Sequence, residues 1–284
     1  MQQESICIIQ ENNILQSNAD SVFPIYSIAK PIIAYLIMQT GVKHNVKLAD
    51  LLTKELVPSS DLTIGHLLNH SSGIEDYGHQ SSYSQAIAEQ DFWQDADFIK
   101  HTINKPLLYD PGTGFNYSNP NYWLLVQILE VESGRSFQQL VHEEVCQTLN
   151  LPSVQVKTGI FADDLNWYPA SWVWHGLIVA NALDTAQFIR TYGRLIYQHS
   201  YQEGNWQPVG AASKPWVSPH YGWGLMMEPN VMYGHNGEGP NYSASCFHFE
   251  SRDTTVCVLC GDAGLAPDTA FSRLIEIKDN NFAI

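Results

Sequence analysis

The chain has 284 residues, a net charge of −15, 44% hydrophobic residues and only 15% charged ones. Such a composition belongs to a well-buried globular protein, neither disordered nor fibrous, and the length suits one compact unit with two lobes. No Lys/Arg cluster interrupts the acidity, which repels phosphate backbones and anionic membranes and argues against nucleic acid as a partner.

The first residues, MQQESICIIQENN, lack the basic region and long apolar core of a secretory signal. The longest apolar stretch, about residues 31–38, is too short to span a bilayer. SICIIQ and ILQS flank Glu11-Asn12-Asn13 as a predicted hairpin. Helical periodicity then takes over. KLADLL, LTIGHLLNH and DADFIKHTI are short helical candidates, NYWLLVQILEVESG is a longer one ending at Gly134, and SFQQLVHEEVCQTL opens on Ser136. Near the end, HYGWGLMM, VMYGH, SASCFHFE and TTVCVLCG read as strands separated by EPN, EGPN and SRD turns. PDTAFSRLIEI closes the chain as a helix capped by Asp268 or Thr269. Strands at both ends with helices between them predict an α/β (α+β) fold: one antiparallel sheet completed by both termini, plus an inserted helical lobe. Residues 1–45 and 170–284 are expected to form the α/β lobe and 46–169 the helical one, within a single catalytic unit.

Five cysteines (7, 146, 246, 257, 260) show no regular spacing. Cys257 and Cys260 differ by an odd number of strand positions and should face opposite sides, which suits buried thiols in a reduced, cytoplasmic protein better than zinc. His66 and His70 in HLLNH have i,i+4 spacing but no evident third ligand, so helix packing and capping is the expected role, and neither metal nor cofactor is implied. The phosphate and dinucleotide loops and the GxSxG elbow are absent.

FPIYSIAKPIIAYLIMQ, residues 23–39, sets Ser27 and Lys30 one helical turn apart in an otherwise apolar run. A helix starting near Ser27 puts both side chains on one face, with the hydroxyl at the positive end of the helix dipole. Desolvation favours the neutral amine of Lys30, the form able to take a proton from a hydroxyl. Pro31 is tolerated there because the hydrogen bond it cannot donate belongs to the first turn. An SxxK arises by chance about once in a chain this long, so the pair needs partners. Tyr117-Ser118-Asn119 lies between a Gly/Pro-rich turn and a helix start, where it holds a phenol and an amide at a cleft edge or simply caps the helix. His235-Asn236-Gly237 lies at a strand end, where His235 is placed to offer a donor and Gly237 to let a substrate approach the backbone, unless the segment is a plain hairpin turn.

The SxxK, YxN and HxG elements, in this order, resemble the serine β-lactamase and penicillin-binding-protein superfamily, specifically its class C β-lactamase-like branch with D-aminopeptidases and esterases. SIAKP is similar to the nucleophile block, LTIGHLLNHSSGIEDY to ITxRHLLTHTSGL, PGTGFNYSNPNYWLLVQILEVESG to P-G-x-x-F-x-Y-S-N-x-x-Y, and WHGLIVANALDTAQF to G-G-L-x-S-T-A-x-D-L-A-x-F. The likeness runs from about residue 22 to 262. It implies Ser27 as acylated nucleophile, Lys30 as its proton acceptor and Tyr117 as proton shuttle. Asn119 would orient substrate or Lys30, His235 would replace the lysine of K-T-G, and the backbone N–H groups of Ser27 and Glu238 would form the oxyanion hole. Asn236, Glu238 and the bulky NWYPASWVWHG depart from the pattern. The expected function is serine hydrolysis of a carboxylester or small amide through an acyl-enzyme. The alternatives are a D-amino-acid-specific peptidase, a DD-carboxypeptidase, a β-lactamase, or a non-catalytic binding protein that kept the fold.

Overall fold

The computed structural model describes residues 3–18, 20–164, 167–210, 215–266 and 268–281. Gln3–Gln10 (β1) and Asn13–Ser17 (β2) form the first hairpin, turned at Glu11 with φ 53°. Phe23–Pro24 (β3) leads through a single 3-10 turn, Tyr26–Ile28, into Ala29–Thr40 (α1). Four helices follow: Ile64–Leu68 (α2), Ser81–Glu89 (α3), Asp95–His101 (α4) and Asn119–Ser133 (α5). Phe137–Leu140 (α6) then runs on in wide turns to Gln147. Short strands come next: Gln155–Lys157 (β4), Ile160–Ala162 (β5), Trp167–Pro169 (β6) and Leu177–Ala180 (β7). Ala182–Phe188 (α7) and Arg194–Gln202 (α8) precede Gln207–Pro208 (β8), His220–Gly222 (β9) and Leu225–Glu228 (β10). Met232–Gly239 (β11), Tyr242–Phe249 (β12) and Thr254–Gly261 (β13) lead to Thr269–Asn281 (α9).

Both chain ends do share one antiparallel sheet. Its eight strands run in the order β2-β1-β13-β12-β11-β10-β9-β8, with β1 laid along β13 from Gln3↔Gly261 to Gln10↔Thr254. The unbroken apolar run of β13 follows from burial on both faces. Val256, Val258 and Cys260 pack with Leu274 and Ile277 of α9, whereas Cys257 and Leu259 join the larger core that contains Ile33 and Ile37 of α1 and Phe188 of α7. The two cysteines thus face opposite sides, as their spacing requires, and among the described residues no disulfide is formed. Nine of the twelve α1 residues are buried, which explains a helix that is apolar all round. Each fully buried Ile or Leu there contributes about 1.5–3 kcal/mol.

Some elements differ from the sequence pattern. HYGWGLMM is not one strand: Trp223 (φ 49°) and Gly224 (φ 78°) supply the two positive φ values of a tight turn, so β9 folds back on β10. KLADLL makes only the 3-10 turn Leu48–Asp50, and α2 stops after five residues because His70 adopts φ 59°. Helices α3, α7 and α8 lie outside the expected helices, although α7 opens on Asn181, whose side chain accepts the Asp184 N–H as an N-cap. Among the described residues no helix is long and apolar enough to cross a membrane.

Candidate active site

Ser27 lies in the middle of the 3-10 turn before α1, and Tyr26 ahead of it has φ 43°. A bulky residue in the left-handed region costs about 1–2 kcal/mol, so something must hold it. The Tyr26 hydroxyl is 2.8 Å from that of Tyr168 and donates to the Pro240 carbonyl at 3.3 Å. The sharp turn presents Ser27 to a cleft, and Lys30, in the first turn of α1 and 0% exposed, reaches back to it. Its Nζ donates to Ser27 Oγ and to Asn119 Oδ1, both at 2.8 Å. Pro31 is the third residue of α1, where no intrahelical partner is lost.

Tyr117 and Asn119 arrive from the loop that opens α5. Neither Ser118 nor Asn119 caps that helix with its side chain; the buried carboxylate of Asp76 takes the Asn119 N–H at 2.7 Å instead. This frees the Asn119 amide for Lys30. The Tyr117 ring lies 4.9 Å from Lys30 Nζ, and the nearby Ser27 hydroxyl draws the Tyr117 pKa down against its burial. His70 sets the loop in place: Nδ1 accepts the Ser118 N–H at 3.2 Å and is 3.1 Å from Asn121 Nδ2, and the ring packs 4.4 Å from that of Tyr117. His66 accepts the Thr63 N–H at 3.2 Å in a capping box. The two histidines are therefore a helix cap and a loop support. Among the described residues no cluster of three or more His, Cys, Asp or Glu could hold a metal ion.

The third element is the edge of β11. Glu250 N–H bonds the Val231 carbonyl, so odd-numbered residues of β11 direct their peptide groups to β12 and even-numbered ones to the opposite edge. Strand β10 covers that edge only as far as Gly234. The Glu238 N–H consequently lies on an edge without a strand partner, next to the Ser27 turn. Gly237 serves a purpose in addition to the expected one. A Cβ there would fall against the Ile25 carbonyl and 3.3 Å from Ser27 N, so glycine is needed for the Ser27 turn to seat on β11, and the residue also lines the cleft.

His235 also departs from expectation. Nδ1 donates to the Asn236 carbonyl and Nε2 accepts the Tyr221 hydroxyl at 3.0 Å, so no donor remains for the cleft. Burial, with Lys30 nearby, pushes its pKa down to about 3, which keeps the ring neutral. The Asn236 carbonyl, which can only accept, fixes the His235 tautomer, and Tyr221 occupies the nitrogen that is left; neither Tyr221 nor Asp76 carries a motif that sequence reasoning could find.

Burial also decides which group is the base. It pushes Lys30 down to about 7, with Asp76 opposing, and raises the Tyr117 phenol well above its ordinary value. At neutral pH a large fraction of Lys30 is free amine while Tyr117 keeps its proton. Lys30 is then able to accept a proton from Ser27, and Tyr117 is able to donate one. The cleft in front of Ser27 measures about 730 Å³ and is lined by Phe115, Tyr117, Asn119, Trp216, Tyr221 and His235. Among the described residues its walls also carry three carboxylates, Asp76, Glu238 and Asp268, and no lysine or arginine. The Glu238 carboxylate accepts the Asp268 N–H, and burial together with Asp268 raises its pKa.

The family model described as Beta-lactamase matches residues 5–275. The chain belongs to the beta-lactamase family. Within this family it is similar to penicillin-binding protein 4* of Bacillus subtilis, 22% identical over 93% of this chain and 65% of that protein. It is also similar to a D-aminopeptidase of Cereibacter sphaeroides, 24% identical over 88% of this chain and 52% of that one. The chain thus spans about half to two-thirds of the length of these curated relatives. A D-stereospecific amidohydrolase from Streptomyces sp. superposes with a TM-score of 0.75 at 17% identity, covering 99% of this chain and 94% of that one. That likeness establishes the shared fold, the α/β architecture with an antiparallel sheet.

Proposed function

We propose that this beta-lactamase family member is a serine hydrolase acting through an acyl-enzyme on a carboxylester or small amide. The carrying observation is the buried chain of hydrogen bonds that joins Asn119 to Lys30 and Lys30 to Ser27, with the Tyr117 ring beside Lys30. Neutral Lys30 takes the Ser27 proton as Oγ bonds the substrate carbonyl carbon, and the N–H groups of Ser27 and Glu238 hold the oxyanion. Tyr117 protonates the leaving group as its bond to carbon breaks, and recovers a proton from the Lys30 ammonium. Water then attacks the acyl-enzyme, passing its proton through the same pair, and Ser27 is regenerated.

The acid-lined walls bear on substrate charge. They repel a free carboxylate, which disfavours penicillins and peptides ending in D-Ala, and they suit a neutral group or an ammonium. The latter supports a second reading, hydrolysis of an amide next to a free amine, in line with the D-aminopeptidase relative. Turnover of p-nitrophenyl butyrate, D-phenylalaninamide, a D-Ala-D-Ala peptide and nitrocefin decides among these. Faster turnover of either of the last two would overturn the charge argument.

Lys30 must be neutral to act, so the rate of fluorophosphonate capture should rise with pH on a limb centred near 7. A flat profile from pH 5 to 9 would remove Lys30 from the role of base. The Asp76 carboxylate stabilises the ammonium and so raises the pKa of Lys30. Asp76→Asn should therefore shift that limb to lower pH, by about half to one unit, with the Asn119 N–H still accepted by the amide oxygen.

A further inference from the structure

The cleft is not confined to one side of Ser27. A second hollow of about 230 Å³ opens behind Tyr26, and Ser27, Asn119 and Glu238 line both, so the nucleophile stands where the two meet. Past Tyr168 and Trp172 this hollow runs on into a further 160 Å³ bounded by Ile87, Phe92 and Trp167. The two sides differ in chemistry. The larger cleft carries three carboxylates. Beyond Glu238, among the described residues, no Asp, Glu, Lys or Arg lines the second hollow or its extension.

The four tyrosine hydroxyls along the hollow are already taken by the protein. Those of Tyr26 and Tyr168 lie 2.8 Å apart, and Tyr77 and Tyr83 donate to the Trp172 carbonyl at 3.4 and 3.3 Å. Ring surface is what remains, with Phe92 packed 4.5 Å from Trp172 and 6.0 Å from Trp167. At the outer end Trp167 is 55% exposed and Ile87 38%, so an apolar group seated there removes their surface from water as well as its own. We propose that the hollow and its extension form the acyl subsite, and that it takes an extended, unbranched apolar acyl chain longer than butyryl. Trp172 walls both parts and Trp167 bounds the outer one, which makes them specificity-determining residues. The direction rests on the serine-hydrolase reading above, in which Tyr117 protonates the leaving group. Tyr117 lines only the larger cleft, so the leaving group faces the carboxylates and the acyl chain turns into the hollow.

Methyl octanoate and heptyl acetate contain the same atoms but carry the chain on opposite sides of the ester. Wild-type kcat/KM should be about tenfold or more higher for methyl octanoate, and should rise roughly two- to fourfold per methylene along p-nitrophenyl acetate, butyrate and octanoate. Trp167 and Ile87 are exposed, so Trp167→Ala and Ile87→Glu should fold normally, and each should lower the octanoate-to-butyrate ratio about tenfold. A faster heptyl acetate, a flat series, or a ratio that neither variant moves overturns the assignment. Calorimetry on Ser27→Ala protein reads the subsite without turnover: octanamide should bind about tenfold more tightly than butanamide, and adding Trp167→Ala should erase the difference. Equal affinity for the two amides overturns the subsite. Absence of ester turnover with that preference intact refutes the hydrolase reading alone.

Discussion

Replacing Ser27 with alanine is expected to abolish covalent capture of a fluorophosphonate and to lower ester turnover by roughly 10⁴-fold or more. Lys30→Ala should cost about 10³-fold, since it removes the base and leaves Asn119 Oδ1 without its buried donor. The more telling variant is Lys30→Arg. It keeps a cation and its donors, but a guanidinium does not lose a proton near neutral pH, so activity should stay as low as in the alanine variant. Recovery of wild-type labelling with arginine would mean that Lys30 acts by charge alone and that another group takes the proton. Intact mass of the labelled protein reports each case, and a label retained on Ser27→Ala would place the nucleophile elsewhere.

Gly237→Ala should be damaging for a different reason. The added methyl would meet the Ile25 carbonyl, and that carbonyl belongs to backbone on the way into the Ser27 turn, so no flexible side chain can yield. Overpacking of this kind costs about 2–3 kcal/mol, which for a chain of this length lowers Tm by roughly 3–6 °C. The strain should also push Ser27 N away from the β11 edge that carries the Glu238 N–H. A displacement near 1 Å there lowers the labelling rate by about 100-fold. Full activity and an unchanged melting temperature would show that the turn and the strand part freely. An equal loss of stability with normal labelling would confine the glycine to packing.

The outline of the fold was legible because its signals are local. The β1–β2 hairpin, the three long C-terminal strands and α5 with its stop at Gly134 all follow from periodicity and turn chemistry. HYGWGLMM misled because Trp223, a residue that rarely accepts positive φ, occupies the turn in place of Asn or Gly. The brevity of α2 was hidden because His70 leaves the helical region to support the Tyr117 loop from 48 residues away.

The same division runs through the site. Spacing alone placed Ser27 and Lys30 on one helical face, and composition alone predicted a lysine starved of water, since both depend only on near neighbours in the chain. That Asn119 is the partner of Lys30 and not a helix cap was decided by Asp76, which reaches the α5 N-terminus from a distant loop. That His235 has no donor left for substrate was decided by the Asn236 carbonyl, which takes its Nδ1–H, while Tyr221 of β9 occupies Nε2. That Gly237 makes room for protein backbone follows from how the Ser27 turn and the β11 edge pack together. Sequence determined which groups are able to react, because residue type and helical spacing set that locally. Tertiary structure decided which of them are free to do so, because a hydrogen-bonding atom or a backbone surface already paired with another part of the chain has nothing left to offer a substrate.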